Sequence, residues 1–201
     1  MSMNVLIAGA TGATGRKVVQ NLIAQGHRPT ALVRAGSDTS VLPSGVAVRQ
    51  GDLTDLHNGV CDGMGVVVFA AGSGGDTSPE MTEKVDRDGA KHLVDQALTS
   101  GVARFVMLSS VGADQSDPEG DLAHYLKAKH DADEHLKASG LTYAILRPVA
   151  LTDGGRSAKT IVGPAVDKGA QASRADVAHL LAEAATLGNF DGMALDMQSA
   201  A

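Results

Sequence analysis

Several stretches of this chain are apolar at nearly every position rather than at every second one. "GVVVFAA" (65–71) and "ARFVMLSS" (103–110) show it most clearly. A strand with one face in water alternates, so an unbroken apolar run needs protein on both faces, as in a parallel sheet. "NVLIAG" (4–9), "PTALVR" (29–34) and "TYAILRP" (142–148) read the same way, and "GVAVRQ" (45–50) and "MALDM" (193–197) complete the strand candidates. Parallel neighbours need crossovers, and helical patterns fill the gaps near 13–26, 80–99, 121–139 and 174–187, with a shorter one at 53–60. Repeated βα units with right-handed crossovers predict an α/β fold. It is a Rossmann-like, doubly wound, mostly parallel sheet with helices on both faces.

The helix ends carry their own signals. Ser78-Pro79-Glu80 supplies an N-cap, a proline in the first turn and an early acid. Ser173 with Asp176 three residues on has the form of a capping box. Gly26, Gly101, Gly140 and Gly188 each follow a helical run, where a left-handed residue is wanted. No linker, repeat or composition break interrupts the 201 residues, so residues 1–201 are expected to form one domain.

"IAGATGATGRK" places Gly9, Gly12 and Gly15 between the first strand and the first helix. A tight turn is the plainer reading. The position favours the sharper one, since a helix N-terminus aims unpaired N–H groups and partial positive charge at an anion. The spacing is G-x-x-G-x-x-G, not the G-x-G-x-x-G of the commonest dinucleotide fingerprint. A P-loop is excluded, because five residues separate Gly9 from Gly15 and Arg16-Lys17-Val18 follows.

"GATGATG" after the first strand resembles the extended and atypical short-chain dehydrogenase/reductases. The small single-domain NAD(P)-binding proteins related to flavin/biliverdin-IXβ reductases and NmrA-like proteins are the nearest group. "LVR", "GDLTD", "VVFAAG", "FVMLSSVGA", "YLKAKHDADEHLKASGLTYAILRP" and "SRADVAHLL" extend the likeness over nearly the whole chain. The resemblance implies a cofactor cradle of Gly9, Thr11, Gly12, Ala13, Thr14, Gly15 and Arg16. It places Asp52 and Leu53 at the adenine, and Ala70, Ala71 and Gly72 beneath the ribose. Asp52 could instead cap the segment after it, and the small residues could serve sheet packing. Arg34 ends the second strand, where a guanidinium suits a 2′-phosphate; with Arg16 and Ser37 assisting, it points to NADP(H). A solvated surface arginine is the alternative.

At the reacting end, "YLKAK" sets Tyr125 and Lys129 four apart on one helix face. The resemblance implies that Tyr125 exchanges the proton that accompanies hydride transfer. Lys129 would favour the phenolate and reach the ribose, and Ser110, or Ser109, would polarise the substrate oxygen. Fourteen residues separate Ser110 from Tyr125, slightly more than orthodox relatives show. Pro148 matches a proline whose following backbone lines the nicotinamide pocket, or it simply ends its strand.

Other chemistries find no support. His124, His130 and His135 scatter around a helix, so no metal site is expected, and "KAKHDADEH" reads as a solvated face with i,i+4 pairs. No G-x-S-x-G elbow appears, and Cys61 lacks a base. A net charge of −6 with 2% aromatics argues against nucleic acid or an anionic membrane. The lone cysteine and the lack of a leader or an apolar span suggest a cytoplasmic protein, monomer or homodimer. The expected function is NADPH-dependent reduction of a small carbonyl, quinone or flavin-like acceptor, with 151–171 as candidate substrate lid. The alternatives are a non-catalytic NADP(H)-binding redox sensor, or an enzyme like the nucleotide-sugar epimerases and dehydratases.

Overall fold

In a computed structural model, residues 1–74, 78–157 and 159–200 are described; 75–77, Ala158 of the candidate lid and Ala201 of the domain lie outside them. The elements follow in order: β1 (Asn4–Ala8), α1 (Gly15–Ala24), β2 (Arg28–Val33), β3 (Ala47–Gln50), β4 (Val66–Phe69) and α2 (Pro79–Thr82). A π-helical stretch (Glu83–Gly89) leads into α3 (Ala90–Thr99), then β5 (Arg104–Leu108), α4 (Ala123–Ala138) and β6 (Thr142–Pro148). Short β7 (Ala150–Thr152), β8 (Thr160–Val162) and β9 (Gln171–Ser173) precede α5 (Arg174–Leu187) and β10 (Met193–Ser199). The main sheet has eight strands in the order β3-β2-β1-β4-β5-β6-β10-β8. All its pairings are parallel except β10 with β8.

The unbroken apolar runs are buried on both faces. Val5 and Ile7 join the cluster that covers α1 and α5, whereas Leu6 and Ala8 join the one that covers α3 and α4. Each such side chain contributes about 1.5–3 kcal/mol by leaving water. Gly26, Gly101, Gly140 and Gly188 have φ between 70° and 83°, the left-handed conformation expected after a helix. Ser78 Oγ accepts the Met81 N–H as N-cap.

Three expectations change. Residues 53–60 form turns, not a helix: Asp52 accepts the Thr54 N–H and hydroxyl, an Asx turn that replaces helix with local hydrogen bonds. The 151–171 segment is not a loop throughout: within a stretch that is mainly loop and turn, Thr160–Val162 form β8 and pair with Met197–Ser199 at the sheet edge. The charged α4 is also more than a solvated face. Lys127–Asp131 and Lys137–Glu134 pair at its surface, while Lys129 and Asp133 are buried.

Candidate functional site

Sheet order reverses between β1 and β4, so the two crossovers leaving their carboxyl ends diverge and open a crevice. Three linked cavities run along it. An outer one of about 610 Å³ is walled by Arg34, Ser37, Asp52 and His57. A middle one of about 470 Å³ lies between Gly9, Thr11 and Gly12 on one side and Leu53, Ala70, Ala71 and Gly72 on the other, with Met81 and Val85 above. The inner one, about 600 Å³, reaches from Ala13 and Thr14 to Ser109, Tyr125 and Lys129. Arg34, Ser37 and Asp52 are shared by the first two, and Gly12, Ala70, Ala71 and Gly72 by the last two.

The three glycines have different reasons. Gly9 has φ +81°, and a Cβ there would stand 2.6 Å from the Ala70 carbonyl oxygen and the Ala71 nitrogen. At Gly15 it would come within 2.0 Å of the Gly9 carbonyl oxygen. These two serve the chain's own backbone packing. Gly12 is exposed on the cleft; its N–H donates to the Gly9 oxygen, its carbonyl accepts the Arg16 N–H, and a Cβ there would stand 3.2 Å from the Gly9 oxygen. The next N–H groups, of Ala13, Thr14 and Gly15, have no partner among the described residues, while those of Arg16, Lys17 and Val18 are used by the helix start. Open donors at a helix N-terminus beside a cleft fit a dinucleotide's pyrophosphate. Arg16 is exposed at the same helix start.

At the outer end, Arg34 is exposed just past β2, and its carbonyl accepts the Ser37 N–H. Asp52 spends Oδ1 on Thr54. Those bonds, with a smaller contribution from Arg34, hold its carboxyl below the usual range against the effect of burial.

At the inner end, Tyr125 and Lys129 come together as their spacing implies. The Lys129 ammonium is 5.7 Å from the centre of the Tyr125 ring and 5.7 Å from that of Phe69. It lies 2.9 Å from Asp86 Oδ1 and directs a long bond of 3.5 Å to the Leu108 carbonyl. Burial alone would lower its pKa; Tyr125, Asp86 and Asp133 more than offset that and raise it. The Tyr125 hydroxyl has no hydrogen-bond partner among the described residues.

Ser109, not Ser110, lines the inner cavity. Its hydroxyl donates to Asp133 Oδ2 at 3.0 Å, and the Arg147 guanidinium donates to that same oxygen at 2.9 Å. Burial pushes the Asp133 carboxyl up, against the pull of Arg147. Ser110 Oγ donates instead to the Val111 carbonyl. Pro148 is buried at the end of β6, its carbonyl accepts the Val111 N–H, and it lines none of the three cavities. Of the candidate lid, Leu151 alone lines the cavities among the described residues; Ser157 is held by Asp176.

Sequence reading did not find Asp86, Asp133 or Arg147. Asp133 and Lys129 are four apart, as Lys129 and Tyr125 are, and that spacing was the available signal. Burial pushes the Cys61 thiol up to about 12, so it is no nucleophile near neutrality. Among the described residues no three metal-ligating side chains cluster, and no helix is long and apolar enough to cross a membrane.

The NAD(P)H-binding family pattern matches residues 9–187. An uncharacterized sugar epimerase of Bacillus subtilis, YhfK, is 31% identical, over 97% of this chain and 94% of its own. A Bacillus halodurans protein provisionally named an NAD-dependent epimerase/dehydratase is 32% identical with a TM-score of 0.91, covering 99% of this chain and 95% of its own. The ceramide reductase of Caulobacter vibrioides is 32% identical over 73% of this chain, which spans only 46% of that enzyme.

Proposed function

Because the chain belongs to the NAD(P)H-binding family, as an atypical short-chain dehydrogenase/reductase, we propose that it is an NADPH-dependent oxidoreductase acting on a small carbonyl, quinone or flavin-like acceptor. The observation that carries this reading is the single cleft joining open helix donors and Arg34 to the Tyr125–Lys129 pair. Gly12, Ala13, Thr14 and Gly15 would hold the pyrophosphate, Asp52 and Leu53 the adenine, and Ala70, Ala71 and Gly72 the floor under the ribose. The bound cofactor supplies a hydride at its nicotinamide ring. Tyr125 then delivers a proton to the acceptor oxygen, and the nearby ammonium of Lys129 stabilises the phenolate left behind. Ser109 rather than Ser110 faces the same space and would polarise the acceptor oxygen, since its hydroxyl can accept or donate once it leaves Asp133. Leu122 and Leu151 offer the acceptor an apolar wall.

A second reading is favoured by the names of two full-length relatives: an epimerase or dehydratase that regenerates its cofactor within each turnover. The two share the Tyr–Lys proton chemistry and differ in whether cofactor is consumed. Mixing the protein with NADPH and a panel of quinones, dicarbonyls and free flavin, and following absorbance at ~340 nm, separates them. Net oxidation with at least one acceptor is expected. Binding with no net oxidation, together with turnover of a nucleotide sugar, would replace the reading by the second. Binding with no chemistry at all would leave a redox sensor.

A further inference from the structure

Asp86 has no exposed surface, yet it borders the inner cavity, and the chemistry just described does not use it. It stands in the π-helical stretch, whose wider turn displaces side chains relative to an α-helix and recurs at functional sites. Its Oδ2 accepts the Ser73 N–H at 2.9 Å, and its Oδ1 is 2.9 Å from the Lys129 ammonium. A Cβ at Gly72 would approach the same Oδ1 to 3.3 Å. One carboxylate therefore touches the loop after β4, the π-helical stretch and α4.

We propose that Asp86 is a positioning residue that fastens the Lys129 ammonium to the backbone floor of the cleft, so that the ribose resting on that floor and the hydroxyl of Tyr125 are held in one register. This rests on the functional reading above. A lysine ammonium has three donors. Here the ammonium is ion-paired with Asp86 and makes the long bond to Leu108, which leaves donor capacity for a ribose hydroxyl. Without the carboxylate, a fully buried ammonium has too little to replace water and releases its proton more easily. The other charged or titratable groups facing it are Tyr125 and Asp133 of α4, with Asp121, His124 and Arg174 around the same cavity.

Asp86→Asn keeps an acceptor for the Ser73 N–H and removes the charge. NADPH affinity, read by nicotinamide fluorescence from pH 6 to pH 9, tests it alongside Lys129→Met and the double variant. Wild type should hold a flat affinity. Asp86→Asn should lose about tenfold at the alkaline end and little at the acid end, a loss comparable to one charged hydrogen bond. The double variant should bind as Lys129→Met does. Wild-type affinity in Asp86→Asn, a loss in it that does not vary with pH, or losses that multiply in the double variant would each overturn the proposal. If Asp86→Asn does not fold, the double variant, which buries neither charge, still gives the comparison with Lys129→Met. A wild-type protein that binds neither NADPH nor NADH would sink the functional reading and this inference with it; normal binding with an indifferent Asp86→Asn sinks this inference alone.

Discussion

Arg34 and Tyr125 are the residues on which the proposed chemistry turns, and each can be tested alone. Arg34 borders both the outer and middle cavities and stays exposed. A charged contact to a 2′-phosphate is worth about 1.5–3 kcal/mol, or roughly tenfold to a hundredfold in affinity. Arg34→Asp should therefore weaken NADPH binding by that factor and leave NADH nearly untouched, as paired calorimetric titrations would show. A variant that keeps the wild-type preference would remove Arg34 from the cofactor contact. Tyr125→Phe deletes a hydroxyl with no hydrogen-bond partner among the described residues, so its folding stability should stay within about 0.5 kcal/mol of wild type. Turnover should fall about 100-fold or more, within the usual range for a general acid, with NADPH affinity preserved. Stopped-flow and equilibrium binding on one preparation separate the two effects.

Among the elements, the start of α5 shows how a local motif was recruited into tertiary structure. Ser173 Oγ accepts the Asp176 N–H at 3.0 Å, the first half of the expected capping box. The second half differs: Asp176 does not reach back to the Ser173 N–H. The Ser199 hydroxyl takes that N–H and donates to Asp176, and Ser157 adds its own N–H and hydroxyl. The buried carboxylate thus ties α5, β10 and the loop before β8 together. Burial works to raise its pKa, but the serine donors prevail and hold it below the usual range. Its stabilisation is complete above the unfolded value of about 3.9 and disappears as pH falls through the lower folded one. Asp176→Asn should cost roughly 3 kcal/mol at pH 7 in urea titrations. The gap from wild type should shrink in acid below about pH 4. A gap that is constant with pH would mean that shape, not charge, holds the three elements.

Across the whole molecule, α4 is anchored to the sheet by buried charge. Arg147 on β6 and Ser109 beyond β5 both donate to Asp133 on α4, and none of the three is more than 5% exposed. Breaking a buried pair from one side leaves an uncompensated charge, typically costing about 3–5 kcal/mol. Arg147→Met should lose that much at neutral pH, and adding Asp133→Asn should recover most of it. The sign with pH is opposite to that of Asp176. Asp133 already sits above the usual carboxylate range because it is buried, and losing Arg147 raises it further. The stability of Arg147→Met should accordingly fall as pH rises through that raised value, visible as a larger deficit at pH 8 than at pH 5 in denaturant melts. An equal deficit at both would assign the loss to packing.

The parallel core was determined by the chain alone, because runs such as Val66–Phe69 are apolar at every position and have no stable place except between two layers. The glycines after helices and the Tyr125–Lys129 spacing were legible for the same reason: each is a constraint within one or two turns of backbone. Even the Gly9-Gly12-Gly15 pattern announced the cleft, although only the fold separates its members. A Cβ would clash with backbone at left-handed Gly9 and buried Gly15, whereas Gly12 is exposed on the cleft and the approach there to the Gly9 oxygen is milder, 3.2 Å. Tertiary structure alone decided the rest. Thr160–Val162 could not be read as an edge strand, since the partner of β8 lies more than thirty residues on, in β10. Asp133, inside the charged run of α4, looked like a solvated charge until the fold buried it. Asp86 carries no local mark, because its partners come from a loop after β4 and a helix after β5. A short motif records what the backbone must do nearby; which charges are buried, and against what, depends on segments that meet only when the sheet is assembled.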